Sequence, residues 1–309
     1  MESRGRSRRA SVLTVVAVAA AAVVAIALAA AWTRAKTTRD MDTLTLAHRR
    51  LGPDGVVIGG EGFVLERRDA PAVLLLHGGG DTPQTLRYLA AELYAAGFHV
   101  EAPLLPGHGR RLVDFMHVTA DDLTSAALAA YHELTATHGW VGLIGLSMGG
   151  ALAVQIAAGA PDLPALGLAA PYLAMPRAID IAARVSRLWG LVVPAVRSGD
   201  GISVFDPDER ARSLAYGVFT AGALRALRTT LRRAVAALPN VAAPTLVLQS
   251  REDNRITVAA AERAFARLGA KEKRIEWVTG AAHIITVDYG HDRVNGALVD
   301  WMLSHVVTR

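Results

Sequence analysis

Apolar residues are spread along this chain in two different ways, and the difference divides it. From Ala10 to Thr33 the sequence carries no charge and consists mostly of Ala, Val, Leu and Ile. About 20 such residues are enough for a helix to cross the hydrocarbon core of a bilayer, so the pattern predicts a transmembrane segment over 10–33. Beyond it the apolar runs are short and alternate with amphipathic stretches. Residues 1–9 then form a basic tail, 34–44 a polar stalk, and 45–309 the folded domain.

Within that domain, Val56 to Glu66 reads as an edge strand or hairpin turning at Gly59-Gly60. Ala72–Leu76, Val141–Gly145, Ala165–Ala169 and Pro244–Gln249 are near-continuous apolar runs, the pattern of strands buried on both faces of a parallel sheet. His99–Ala102 and Arg274–Val278 read as further strands. Helical periodicity covers Thr82–Ala96 (Leu86, Leu89, Ala90, Leu93) and stops at Gly97. A second helix runs from Thr119 to Thr137, with Asp121 and Asp122 at the positive end of its dipole. Met148–Ala158, Val258–Leu268 and Val294–Val306 complete the helices. Strand and helix alternate, which predicts an α/β fold with a mostly parallel central sheet and flanking helices. Tyr172 to Asn240 breaks the rhythm. It holds no convincing strand and reads as helices separated by Pro176, Pro194 and a turn at Ser198-Gly199-Asp200-Gly201. Too long for a simple connection, it reads as a helical cap inserted at about 172–240.

Composition narrows the class. Of the 309 residues 52% are hydrophobic and 20% charged, which suits a sizeable core and excludes a disordered chain. The net charge of +5 is unevenly placed. Arg4, Arg6, Arg8 and Arg9 crowd the N-terminus, while Arg225, Arg228, Arg232 and Arg233 line one helical stretch. Neither cluster has interleaved aromatics or a nucleic-acid motif, so no nucleic-acid partner is expected. The first reads as a topology signal that leaves Met1 in the cytoplasm and the domain outside, although Arg34, Lys36 and Arg39 soften the asymmetry. The second reads as a solvated or membrane-facing helix surface. A cleaved signal peptide competes with the anchor: its apolar region is usually about 7–15 residues, but the small residues at Ala27 to Ala31 would suit a signal peptidase, and Ser7-Arg8-Arg9 hints at a twin-arginine signal. The expectation is a single-pass protein of the cell membrane, or a secreted one if the segment is removed. The absence of cysteine excludes disulfides, thiolate metal sites and cysteine nucleophiles.

The chemistry concentrates at strand ends. Gly145-Leu146-Ser147-Met148-Gly149 fits G-x-S-x-G between a strand and a helix, as a nucleophile elbow requires. The turn forces the serine into a strained conformation that is tolerable only if positions two residues either side lack side chains. The hydroxyl then stands at a helix N-terminus, where developing negative charge is favoured. His77-Gly78-Gly79-Gly80 ends an earlier strand; the N–H groups of Gly79 and Met148 are the expected oxyanion donors, and His77 reads as a loop-orienting residue. A serine hydroxyl needs a base, and the base a carboxylate. Among ten histidines, His283 alone follows a late strand near the C-terminus in the expected order of serine, acid, histidine. Asp253 fits the acid, in the loop after Thr245–Gln249, with Glu252 and Asp288 as rivals. Tyr172, Leu173, Met175 and Trp189, with Leu188, Leu191 and Val192, are candidates for an acyl-binding face under the cap.

These pieces resemble the bacterial monoacylglycerol lipase and small carboxylesterase branch of the α/β-hydrolases, over about three quarters of the chain. The resemblance rests on Leu74-Leu75-Leu76-His77-Gly78, Pro106-Gly107-His108-Gly109, Gly145 to Gly150, Pro244-Thr245-Leu246-Val247 and His283-Ile284-Ile285-Thr286-Val287-Asp288. It implies hydrolysis of carboxylic esters, of a small-molecule or lipid substrate, with no metal and no organic cofactor. Gly79 and Gly80 depart from the branch, which usually carries a bulky residue after His-Gly, and imply a more open acyl pocket. An aminopeptidase on the same fold would want an acid to hold the substrate ammonium, which Asp206, Asp208 or Glu209 could supply. Thioesterase or acyltransferase chemistry, and a catalytically dead membrane-anchored binding protein, are the remaining readings. Oligomeric state is not legible.

Overall fold

Residues 2–47, 49–197 and 203–306 are described by the computed structural model, with side chains from Leu13 onward. The turn expected at Ser198-Gly199-Asp200-Gly201 lies outside them. The first element, α1 (Glu2–Leu46), is a single helix of 45 residues. The stalk expected at 34–44 is therefore helical. No Pro or Gly interrupts Arg34 to Leu46, and Lys36 pairs with Asp40 one turn on, at 2.6 Å. The part from Leu13 is long and apolar enough to cross a membrane. Its last turns dock on the domain, where Asp42 accepts the Leu112 N–H at 2.8 Å and meets Arg111 at 3.3 Å.

After β1 (Phe63–Leu65) and β2 (Ala72–Leu76), a 3₁₀ turn leads into α2 (Arg87–Ala95) and β3 (His99–Ala102). Then come α3 (Leu112–His117), α4 (Ala120–Thr137), β4 (Val141–Leu146), α5 (Met148–Gly159) and β5 (Leu166–Ala169). The insertion that follows holds α6 (Arg177–Arg184), α7 (Ser186–Trp189), β6 (Ala195–Arg197), α8 (Pro207–Arg212), β7 (Val218–Thr220) and α9 (Ala221–Ala237). The chain closes with β8 (Thr245–Ser250), α10 (Val258–Arg267), β9 (Lys273–Val278) and α11 (His291–His305).

Seven strands form one sheet in the order β1-β3-β2-β4-β5-β8-β9, parallel except for the edge strand β1. Alternate residues of the fully buried strands feed two cores, as a period of two demands. Leu74, Leu76, Leu143 and Leu166 pack toward α4, α5 and α9, whereas Val73, Leu75, Ile144 and Leu246 pack toward α2 and α11. The Thr119 start is a full capping box, in which Thr119 and Asp122 exchange bonds with each other's backbone N–H.

Three local expectations are corrected. Only residues 63–65 of the predicted 56–66 segment are strand; the part before it makes one bridge, Leu51 with Val57, and a turn with Gly59 at φ 86°. The cap contains the antiparallel pair β6–β7, whose three-residue strands are too short to display a period. The helix α3 stands where the apolar pattern predicts none; at six residues it too is short of a readable period.

Candidate active site

The site grows from the end of β4. Ser147 has φ 54° and ψ −115°, a conformation costly for a residue with a Cβ. Its neighbours make room: a Cβ at Gly149 would lie 2.0 Å from the Leu76 carbonyl oxygen, and one at Gly145 2.3 Å from that of Gly149. Flanking strands hold the turn, with the Ser147 N–H donating to Ala169 (3.0 Å) and the Tyr172 N–H to the Ser147 carbonyl (2.9 Å).

The loops after β8 and β9 bring two distant side chains to this hydroxyl. His283 Nε2 lies 2.7 Å from Ser147 Oγ, and its Nδ1 2.8 Å from Asp253 Oδ2. Asp253 is held from every side. Its Oδ1 accepts the Arg255 and Ile256 N–H groups at 2.7 and 2.9 Å, and its Oδ2 the Gln249 side-chain amide at 2.6 Å. Burial pushes its carboxyl up, but the neighbouring His283 and the two backbone donors outweigh this and hold it below the usual carboxylate range. Glu252 turns away, to Ser250 and Gly280. Asp288 is engaged elsewhere. Fully buried, it accepts the N–H groups of Ala282 in the His283 loop (2.6 Å) and of Phe205 and Asp206 in the cap (2.9 Å each). It ties the histidine loop to the cap, a role that only the fold reveals.

The glycine loop after β2 faces the serine. A Cβ at Gly79 would touch Met148 Sδ at 3.1 Å. The Gly79 N–H has no acceptor among the described residues, and Met148, first in α5, has no intrahelical acceptor for its own. His77 fixes this loop. Its Nε2 accepts the Leu105 N–H at 3.0 Å, so Nδ1 carries the proton toward the Gly78 carbonyl at 2.8 Å. Complete burial, with His108 5.1 Å away ring to ring, lowers its pKa to about 3 and keeps it neutral.

With this geometry in view, the chain matches the family described as serine aminopeptidase, S33 (Hydrolase_4) over residues 68–289. It belongs to that family. Among relatives, it is 28% identical to a thermostable monoacylglycerol lipase of Bacillus sp. (strain H-257), covering 81% of this chain and 97% of that one. It is 23% identical to a carboxylesterase of Bacillus subtilis (strain 168), covering 75% and 92%. In fold it is similar to one of the metagenome-derived lipolytic enzymes LipS and LipT, with a TM-score of 0.73 and 27% identity over 83% of this chain and all of that one. It is also similar to the monoacylglycerol lipase of Paleococcus ferrophilus, with a TM-score of 0.68 and 24% identity over 79% and 98%. The protein is a lipase- or esterase-type α/β-hydrolase.

In this Hydrolase_4 member, Ser147 and His283 open onto a cavity of about 670 Å³ roofed by the cap. A slot of about 50 Å³ adjoins it, lined by Gly79, Gly80, Phe115, Leu123, Met148 and Leu224, where a bulky residue after His77-Gly78 would intrude. Of the four residues expected under the cap, only Tyr172 lines the main cavity, its ring edge toward His283 with centroids 6.4 Å apart. Burial pushes its phenol up to about 12. The other three are corrections. Leu173 is buried in the main core, and Met175 packs beside α9 and α10. Trp189 donates its indole N–H to the Ala182 carbonyl inside the cap. Leu188, Leu191 and Val192 point outward. The cavity is instead lined by residues such as Ile179, Phe219, Leu227 and Val287, brought together by packing with no linear signature. Arg228 and Arg233 on α9 pair with Asp180 and Asp121, each at 2.6 Å.

Proposed function

We propose that this protein is a serine carboxylesterase of the monoacylglycerol lipase type, working through an acyl-enzyme and held at a membrane by α1. The observation that carries the reading is the continuous hydrogen-bonded line from Asp253 through His283 to Ser147, ending on a strained serine that faces a cavity. Ser147 Oγ attacks the ester carbonyl carbon as its proton passes to His283 Nε2. The Gly79 and Met148 amides receive the oxyanion, each donor of this kind contributing about 2.7–4 kcal/mol. Asp253 holds the tautomer and stabilises the imidazolium. The C–O bond to the alcohol then breaks, and the alcohol takes the proton from His283. Water repeats the sequence: it loses a proton to His283, forms the new C–O bond, and the acid leaves as Ser147 recovers its proton.

Membrane attachment is supported by the exposed apolar run of α1. Where that run ends, the Arg34 guanidinium donates to the Gly190 carbonyl, beside α7 and the loop after it, which leave Leu188 71% and Leu191 63% exposed. This loop sits where a bilayer around α1 would end, with Arg4 to Arg9 on the cytoplasmic side. An aminopeptidase reading loses its cap acids: Asp206 caps its own helix, Asp208 does not line the cavity, and Glu209 is bound by Arg87, Tyr88 and Arg212. The test compares p-nitrophenyl esters of several chain lengths with aminoacyl p-nitroanilides. Ester hydrolysis is expected, falling about 10⁶-fold in Ser147→Ala. Preferred anilide cleavage, or ester hydrolysis that survives in Ser147→Ala, contradicts the proposal.

A further inference from the structure

The larger cavity has a charged wall that hydrolysis of a neutral ester does not require. Arg49, Arg87, Arg210 and Arg255 line it, against two carboxylates, Asp81 and Glu209. Glu209 is engaged by Arg87, which is thereby neutralised, and by Arg212 at 2.8 Å. Arg210 reaches the carbonyls of Val204 and Phe205, and Arg255 the hydroxyl of Ser203 at 3.1 Å.

Arg49 is different. Its guanidinium is half-buried and donates one hydrogen bond, to the Ala215 carbonyl, and among the described residues no carboxylate lies within ion-pairing distance of it. A guanidinium offers five N–H donors in a fork that matches a carboxylate or a phosphate. Withdrawing it from water without an anion is unfavourable. Burial accordingly lowers its pKa, against weaker opposition from Tyr216 and Asp81. Asp81 is near enough to be felt, but its carboxylate accepts from Thr82 at 2.8 Å and is itself almost fully buried. The cation is placed by the segment joining α1 to β1, where the Ile58 N–H holds the Arg50 carbonyl at 2.8 Å. That segment precedes the family-matched residues 68–289.

We propose that Arg49 is a specificity residue, and that the ester which fills the larger cavity carries an anionic group, a phosphate or a carboxylate. The proposal rests on the ester-hydrolase reading above and names the substrate class for that same site. A neutral monoacylglycerol would leave the arginine unanswered, whereas an acidic ester would complete its coordination and bring the carbonyl to Ser147 at lower concentration.

The test uses the full chain in detergent and two matched substrate pairs. One pair places the charge on the alcohol (1-butanoylglycerol against 1-butanoylglycerol 3-phosphate). The other places it on the acyl group (4-nitrophenyl butanoate against 4-nitrophenyl hemisuccinate). In at least one pair, kcat/KM should favour the anionic ester by about tenfold or more through a lower KM. Arg49→Gln should erase that ratio, and Arg49→Lys should keep part of it, which a merely structural role would not produce. Should Arg49→Gln fail to fold, the wild-type ratio and its partial retention in Arg49→Lys carry the test. Equal or better turnover of the neutral ester in both pairs overturns the proposal, as does a preference that persists in Arg49→Gln. It is equally overturned by superior turnover of the 4-nitrophenyl ester of alanine, which would assign the wall to an ammonium at Asp81, or by inorganic phosphate stimulating neutral-ester hydrolysis, which would make the site one for a free anion. If no ester of any kind turns over, the hydrolase reading itself fails, an outcome distinct from activity without charge preference.

Discussion

The rim of the sheet and the cap enclose the same cavity, and they are held in place by different means. On the rim, backbone geometry decides. The turn at Ser147 demands glycine on both sides, and hydrogen bonds along the strand ends leave that serine a single conformation. In the cap, side-chain packing and a few buried polar links decide, such as the grip of Asp288 on Phe205 and Asp206. In the proposed reading the rim carries the reaction, and the cap shapes the space the substrate would fill.

After Ser147→Ala, Asp253→Asn gives the largest expected effect, because it reaches the proposed rim chemistry without changing shape. The amide cannot hold His283 in the productive tautomer, and kcat should fall about 10⁴-fold on a p-nitrophenyl ester while the fold persists by circular dichroism. A loss under tenfold would mean that the carboxylate is packing alone.

The same contrast explains which parts of the molecule are legible in its amino-acid order. Gly145 to Gly149 and His77 to Gly80 are local patterns, since strand ends and tight turns dictate residue type at fixed offsets, whereas Asp253 and His283 follow from chain order after late strands. Four of the seven sheet strands follow from near-continuous apolar runs, two more (His99–Ala102 and Lys273–Val278) match segments also expected as strands, and β1 lies within the edge segment expected there. The cap is less legible because its contacts join residues far apart along the chain. Trp189 and Leu188 share an apolar character with Ile179 and Leu227, yet only the latter pair faces the cavity. Nothing in their linear context distinguishes them. Arg49 is equally silent, one of two adjacent arginines, Arg49 and Arg50, after a membrane-type helix. The stalk misleads for another reason: polar composition reads as linker, while an unbroken run of helix-compatible residues simply continues α1.

The next effect is on stability and should localise to the rim. His77 and His108 are buried beside the glycine loop, and burial lowers them to about 3 and about 4. An unfolded histidine takes up its proton near pH 6.5. Below that pH the unfolded chain therefore binds more protons than the native one, and stability falls as pH drops through 6 toward 4. Asp81, raised to about 6 by burial, works in the opposite direction, since its neutral form favours the native state in acid and that contribution fades as pH rises from about 4 to 6. Two histidines outweigh one carboxyl, so the unfolding free energy from urea titrations should decline by several kcal/mol between about pH 7 and 4, each tenfold difference in proton affinity being about 1.4 kcal/mol. A flat profile would contradict the buried, neutral pair.

The smallest effect belongs to the cap. Trp189→Ala removes a half-buried ring whose indole bond stays within the cap. It should lower stability by about 1–2 kcal/mol and leave kcat/KM for a short soluble ester within about twofold. A larger kinetic loss would show that the outer cap reaches the reacting atoms.

The central claim is that Ser147 is activated by its neighbours, and covalent labelling tests it most directly. The full chain is treated with a fluorophosphonate and the adduct mapped by mass spectrometry. The account predicts one adduct, on Ser147, formed quickly in the wild type and at least about a thousandfold more slowly in His283→Ala. Labelling of another residue, or equal labelling rates with and without the imidazole, would contradict it.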